Sequence, residues 1–217
     1  MQNRKKIFIV DDHPVFRKGL AQLINEEADL QVTGEAESVT GAIDLIQQGG
    51  PDLMIVDISL KDKSGIDLIE YIKEHFPKLP VLVISMHDES LYAERVLRAG
   101  ALGYITKHEM TGDVVMAIRQ VIAGKRYISA NMVDALLGKM MAGTKGDGIS
   151  PLEILSNREL EVFQLMGQGF KRGEIASLLH LSVKTIGTYR ENIKQKMNLK
   201  TAPELMKHAV TWVQSQS

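Results

Sequence analysis

Five short apolar runs, each followed by a stretch of helical period, do most to limit what this chain can fold into. KKIFIV at 5–10, LQVTGEA at 30–36, DLMIVDI at 52–58, VLVIS at 81–85 and LGYIT at 102–106 read as strands. Helical periods fill the intervals at about 14–26, 39–47, 65–75 and 88–99, and a last one follows at about 110–123. Pro14 suits a first helical turn, where its missing N–H costs no hydrogen bond. Ser38 stands where a cap is needed, and Gly49-Gly50-Pro51 ends the helix it starts. Gly100 follows a helix end, a place that favours a residue free to take positive φ. Strands alternating with helices imply βαβ units and a parallel sheet. The near-continuous apolar character of the strands implies helices on both faces. The expectation for residues 1–125 is therefore an α/β domain built on a five-stranded, doubly wound sheet.

Beyond residue 129 only helical periods remain. NMVDALLGKMM at 131–141 reads as one helix, and the glycine-rich AGTKGDGISP at 142–151 reads as a flexible connection. Residues 126–150 are thus expected to be a linker, and residues 151–217 a second, all-α domain of four helices. Charge follows the same division. Residues 1–130 carry 15 Lys and Arg against 19 Asp and Glu, whereas residues 151–217 carry 9 against 6. An acidic front and a basic back point to different partners, nucleic acid being the natural one for the back. With 44% hydrophobic and 24% charged residues, the chain has the composition of a globular protein rather than a disordered one. The absence of cysteine excludes a disulfide framework, a thiolate metal site and a cysteine nucleophile. No apolar run approaches the roughly 18 residues that span a bilayer. MQNRKKIFIVDDH lacks the apolar stretch of a secretory signal. A cytoplasmic protein without a membrane partner is expected.

Ligands of an open parallel sheet bind beyond the carboxyl ends of its strands. The residues at those ends are Asp11 and Asp12, Asp57, Ser85, and Thr106 with Lys107. Three carboxylates at one place repel unless a cation lies among them. Hard oxygen donors with room for water suit Mg²⁺. A carboxylate beside Mg²⁺ can attack a phosphoryl group. The metal and Lys107 would then neutralise the phosphoryl oxygens, and Ser85 would hydrogen-bond one of them. Aspartates at strand ends also serve as helix caps, but five compatible groups at four strand ends favour a site. Other chemistries fail on spacing. Gly124-Lys125 is followed by Arg126 rather than Ser or Thr, and no GxGxxG follows the first strand, so neither a phosphate loop nor a dinucleotide site is expected. The six histidines show no short metal-ligand spacing, and none is expected as a ligand.

In the back domain, Ser156 and Glu159 are spaced as a capping box. Leu160, Phe163 and Leu165-Met166 form an inner face, and Gly167-Gln168-Gly169 ends that helix. A short helix at about 172–179 carries Ile175, Leu178 and Leu179 inward, and His180-Leu181 turns the chain. Ser182 caps a long helix to about Met197, and a fourth helix spans 202–214 with Leu205, Ala209 and Trp212 facing inward. A short helix, a tight turn and an exposed basic helix make a helix-turn-helix. On the long helix, Ile186, Tyr189 or Arg190, Ile193 and Met197 form the buried stripe. The opposite stripe is Lys184, Gly187-Thr188, Glu191 and Gln195, with Lys184, Arg190, Lys194, Lys196 and Lys200 able to reach phosphates.

These residues carry two resemblances. Ile9-Val10-Asp11-Asp12-His13-Pro14, Ile55-Val56-Asp57, Ile84-Ser85 and Gly103-Tyr104-Ile105-Thr106-Lys107 resemble a response-regulator receiver, of flavodoxin-like fold, over about 5–123. The resemblance implies phosphorylation of Asp57 by a partner histidine kinase. It implies Asp12 and Asp57 as Mg²⁺ ligands, Asp11 holding the metal through water, and the backbone carbonyl of Ser59 completing the set. Lys107 would bind phosphate, and Ser85 and Tyr104 would form a switch pair. Glu174-Ile175-Ala176, Leu181-Ser182, Lys184-Thr185-Ile186, Tyr189-Arg190 and Asn192-Ile193 resemble the LuxR-type helix-turn-helix over about 150–215. Tyr189 stands where a histidine is frequent, and Gly187 where a longer side chain is common. Lys184, Thr185, Gly187, Thr188, Tyr189, Arg190, Glu191 and Lys194 are the candidate DNA contacts. Together the halves look like a NarL/FixJ-type transcriptional regulator. That implies double-stranded promoter DNA, a homodimer on phosphorylation and RNA polymerase as partners, and no enzyme. The competing reading, an aspartyl phosphotransferase of the haloacid dehalogenase type, needs Asp-x-Asp after the first strand. Here that strand ends Asp11-Asp12, and Asp57 is followed by Ile58-Ser59.

Overall fold

The computed structural model describes residues 4–87, 89–109, 114–130, 132–134 and 154–215. The chain divides into two compact units, Met1–Thr144 and Lys145–Ser217. In the first, strands and helices alternate as β1 (Lys5–Val10), α1 (Pro14–Asn25), β2 (Leu30–Ala36), α2 (Val39–Gln48), β3 (Leu53–Val56), α3 (Gly65–His75), β4 (Val81–Ser85), α4 (Glu89–Ala99), β5 (Gly103–Thr106) and α5 (Val114–Ile122). The strands pair in parallel in the order β2-β1-β3-β4-β5. The expected doubly wound five-stranded sheet is present.

Alternation along each strand sorts side chains between two faces. On one face Ile7, Ile9, Ile55, Leu82, Ile84 and Ile105 pack with α1 and α5 in a continuous buried cluster. The other face carries Val10, Met54, Val56 and Val83, all buried, and α2, α3 and α4 lie side by side in sequence. Local chemistry places the helix starts. Ser38 Oγ accepts from the Gly41 N–H, as its position predicts. Asp62, from the loop after β3, adds a second cap to α2, accepting from the N–H groups of Val39 at 2.8 Å and Thr40 at 3.0 Å. Gly100 takes a φ of 122° past α4.

The third apolar run, 52–58, is expected as a strand that ends in Asp57, and β3 spans Leu53–Val56. Asp57 follows it with its N–H still bonded to Val10 O, and its side chain faces the crevice described below. The edge strand β5 is not left open. Tyr127 N donates to Leu102 O and Tyr104 N donates to Tyr127 O, both at 2.9 Å. The chain leaving α5 therefore pairs with an edge that would otherwise be exposed. Ser129 then hydrogen-bonds the Glu89 side chain at the start of α4, through both its N–H and its hydroxyl. The expected helix at 131–141 lies mostly outside the described residues, which include helical 132–134; the glycine-rich segment lies wholly outside them.

The second unit contains α6 (Asn157–Gly167), α7 (Arg172–Leu178), α8 (Val183–Lys196) and α9 (Ala202–Gln214). Ser156 and Glu159 form the expected capping box on α6. Thr201 and Glu204 form another on α9. Ser182 Oγ accepts from Thr185 N–H at 3.0 Å to start α8. The turn between α7 and α8 passes through His180 at a φ of 53°. Leu160, Phe163, Met166, Ile175, Ile186, Ile193, Leu205 and Ala209 fill the interior, with the Phe163 and Trp212 rings 5.6 Å apart. Two inward assignments need correction. Leu178 is 51% exposed and Leu165 is half-buried. The short α7 buries one narrow stripe, which Ile175, Ala176 and the following Leu179 already occupy. On α8 the fully buried stripe is Ile186 and Ile193; Tyr189, Arg190 and Met197 are half-buried.

Candidate functional site

The strand order reverses between β1 and β3, and a crevice opens there beyond the carboxyl ends. Asp11 and Asp12 follow β1, and Asp57 follows β3. Asp11 N donates to Ala36 O at 3.0 Å and Asp57 N to Val10 O at 2.9 Å, so the sheet hydrogen bonds fix both backbones. Asp11 and Asp57 are each 2% exposed. Lys107, directly after β5, brings its Nζ to 2.6 Å from both Asp57 Oδ2 and Asp11 Oδ2. Ser85, the last residue of β4, donates its hydroxyl to Asp57 Oδ1 at 2.6 Å. The Lys107 ammonium also lies 4.3 Å from the centre of the Phe16 ring, whose π-face favours a desolvated cation.

The balance of charge at this crevice is negative. Burial, and then the neighbouring Asp57, push the Asp11 carboxyl above its ordinary range, while Lys107 and the His13 N–H oppose them. His13 Nδ1 lies 2.8 Å from Asp12 Oδ1 and 3.2 Å from Asp11 Oδ1. Asp11, Asp12, His13 and Asp57 each offer a ligand atom, all within 4.8 Å of one another. A carboxylate-rich set of this span fits a hard divalent cation such as Mg²⁺. Ser59 lies two residues beyond Asp57, with its hydroxyl 2.9 Å from His87 Nε2. Tyr104 is buried, and its hydroxyl donates to the His87 carbonyl at 2.8 Å. Ser85 and Tyr104 therefore both point inward, one to Asp57 and the other to the segment that follows β4.

In the second unit, Lys184, Gly187, Thr188, Arg190, Glu191 and Lys194 line a shallow concavity on α8, which Arg172 of α7 also lines. Lys184, Thr188 and Glu191 are exposed along one face. Lys194 Nζ lies 2.8 Å from Glu191 Oε2. Thr185 and Tyr189 stand apart from this concavity. The Thr185 hydroxyl lies 2.7 Å from Ser182 Oγ and belongs to the cap, and Tyr189 is half-buried.

Residues 7–119 match the response regulator receiver domain family, and residues 153–209 match the bacterial regulatory proteins of the luxR family. The chain is a response regulator of the NarL/FixJ type. The regulator is 37% identical over 209 residues to the oxygen regulatory protein NreC of Staphylococcus carnosus, covering 94% of this chain and 96% of that one. NreC of Staphylococcus epidermidis is 34% identical over 210 residues, with the same coverage. Among solved structures, RcsB of Salmonella enterica serovar Typhimurium bound to promoter rprA in the presence of phosphomimetic BeF3⁻ superposes with a TM-score of 0.60. It is 29% identical and covers 96% of this chain and 99% of that chain. A structure of two RcsB dimers bound to two parallel DNAs superposes with a TM-score of 0.58 at 29% identity, covering 94% and 97%. The family is one of DNA-binding transcription regulators.

Several groups at the regulator's sites escaped the reading of the sequence. His13 joins the acids because it sits in the turn after them, whereas a search for spaced histidine pairs looks along one element. Phe16 reaches Lys107 across the crevice, a contact no local spacing reveals. Gly65 has a stricter role. A Cβ there would stand 1.9 Å from the Asp57 carbonyl oxygen, so α3 can start beside Asp57 only with glycine.

Proposed function

We propose that this regulator is phosphorylated on Asp57 by a partner histidine kinase, and that the modification switches its binding to promoter DNA. The observation that carries the reading is the pair of donors on one carboxylate: Ser85 and Lys107 each lie 2.6 Å from an Asp57 oxygen. Both are in reach of a phosphoryl group attached there. An Asp57 oxygen attacks the phosphorus of a phosphohistidine, the P–N bond breaks, and the imidazole keeps the electron pair and takes a proton. Lys107 neutralises charge developing on the phosphoryl oxygens, and Ser85 hydrogen-bonds one of them. Mg²⁺ would supply further positive charge at those oxygens. Asp12 and Asp57 would hold it directly, Asp11 through water, and Ser59 through its backbone carbonyl.

Ser85 would then exchange a carboxylate acceptor for a more highly charged phosphoryl one. The inward arrangement of Ser85 and Tyr104 gains stability relative to any alternative, which is what a switch requires. Tyr104 N is bonded to Tyr127 O, and Ser129 to Glu89, so the residues leaving the receiver are tied to the elements that respond. The phosphorylated form would pair as a homodimer and bind duplex DNA through α8, with RNA polymerase as a further partner in the cytoplasm. The RcsB dimers on DNA support this reading. Phosphate contacts fall to Lys184, Arg190 and Lys194, and base contacts to Thr188 and Glu191. Intact-mass measurement tests the first step. With a small acyl phosphate and Mg²⁺, the wild-type chain should gain one phosphoryl group and Asp57→Asn none. Equal modification of the Asn variant would reject Asp57 as the acceptor.

A further inference from the structure

The exposed face of α8 has a gap. Lys184, Thr188 and Glu191 project from it, but Gly187, between them, has no side chain. The space is filled from the neighbouring helix. A Cβ built on Gly187 would stand 2.2 Å from an Arg172 terminal nitrogen and 3.1 Å from the guanidinium carbon. Arg172 Nε donates to Val183 O at 3.2 Å, which fixes the guanidinium at the N-terminal end of α8. Among the described residues the terminal amino groups make no hydrogen bond or ion pair, although Lys184, Thr188, Arg190 and Glu191 share the same concavity.

We propose that Arg172 is a specificity-determining residue of the DNA interface, reading a base edge from the position where Gly187 leaves α8 bare. The proposal rests on the reading of this unit as a duplex-DNA binder. Recognition helices of this motif meet base edges with their N-terminal residues. A guanidinium with its Nε already engaged still presents four N–H donors in a fixed plane, enough for the two acceptors of guanine in the major groove. A glycine at 187 is what permits the arrangement. Any larger residue would push the guanidinium away, at little cost to the fold because the displaced group is the far end of a flexible side chain.

The test uses the full-length chain with a small acyl phosphate and Mg²⁺, binding a randomised duplex library at several salt concentrations. Arg172→Lys keeps the charge but loses the planar fork. Gly187→Ala keeps every charged group and improves helix propensity, yet obstructs the guanidinium. Both variants should lose discrimination at the same base pair by roughly 5- to 150-fold, the range for a bidentate base contact. Their slopes of log K against log salt should stay at the wild-type value. Two results would overturn the proposal: wild-type base preference retained in both variants, or Arg172→Ala weakening all duplexes alike with the salt slope falling by about one, the mark of a phosphate contact alone. A wild-type chain with no preference among duplexes would overturn the DNA-reading function itself, and this proposal with it.

Discussion

Asp11 and Asp12 are adjacent in sequence but meet different surroundings. Asp11 is held by Lys107 at 2.6 Å and by the His13 N–H at 2.8 Å. Asp12 lies 2.8 Å from the His13 ring, whose side chain is 58% exposed at the mouth of the crevice. Lys107 and the His13 N–H thus engage both Asp11 oxygens, and Lys107 competes with a metal there as it does at Asp57, whereas Asp12 meets the exposed His13 ring. Titration with Mg²⁺ should therefore find a larger loss of affinity in Asp12→Ala than in Asp11→Ala; the reverse order would reject these roles. The acidic set itself could be read from residue type, because carboxylates at strand ends converge wherever a parallel sheet forms. Arg172 could not. Its proposed role depends on the packing of α7 on α8, which brings the Arg172 guanidinium to Gly187, and the sequence shows Gly187 only as an absence.

At the scale of elements, two junctions set the geometry. The first is the start of α3 against Asp57. Gly65→Ala would place a Cβ inside the Asp57 carbonyl oxygen, and something in the backbone must shift. Urea unfolding should report a loss of about 1–3 kcal/mol, the usual cost of overpacking, and Asp57 phosphorylation should slow. An Ala variant of unchanged stability and rate would show that the junction is slack. The second joins α6 to α8, where Lys196 Nζ lies 2.7 Å from Glu159 Oε2. Burial raises the Glu159 pKa, but Lys196 and the Ser156 N–H outweigh it and hold the carboxyl below its ordinary 4.5. A lowered carboxyl pKa stabilises the fold above the ordinary value, and that stability is lost as pH falls through the folded one. Trp212, the chain's one tryptophan, packs on Phe163 of α6 and reports unfolding of this unit. By its fluorescence, wild type should exceed Glu159→Gln by about 1.5–3 kcal/mol at neutral pH, the range for a charged hydrogen bond. The difference should shrink below pH 4.5; one independent of pH would contradict the assignment. Element boundaries were legible wherever periodicity and caps agreed, as for β1, β2, β4 and α9. They were not where a tertiary contact decides: Leu178 is exposed because the short α7 buries one stripe, which Ile175, Ala176 and Leu179 occupy.

For the whole molecule, the division into an acidic α/β unit and a basic helical one was written in the spacing of apolar residues and in the charge asymmetry. The link between them was less legible. Tyr127 pairs with the edge of β5 and Ser129 with Glu89, so the segment after α5 begins as part of the receiver rather than as a plain tether. On the function proposed above, a change at Asp57 would act through Ser85, Tyr104 and this segment. The claim at the centre of this account is that phosphorylation of Asp57 and DNA affinity are coupled. The measurement that tests it compares the affinity of the full-length chain for a preferred duplex, at one salt concentration, with and without an acyl phosphate and Mg²⁺. Wild type should tighten on addition of the donor by roughly 5- to 150-fold, the usual range of such coupling, and Asp57→Asn should not respond. An equal gain in the Asn variant, or no gain in a wild-type chain shown to be phosphorylated, would contradict it.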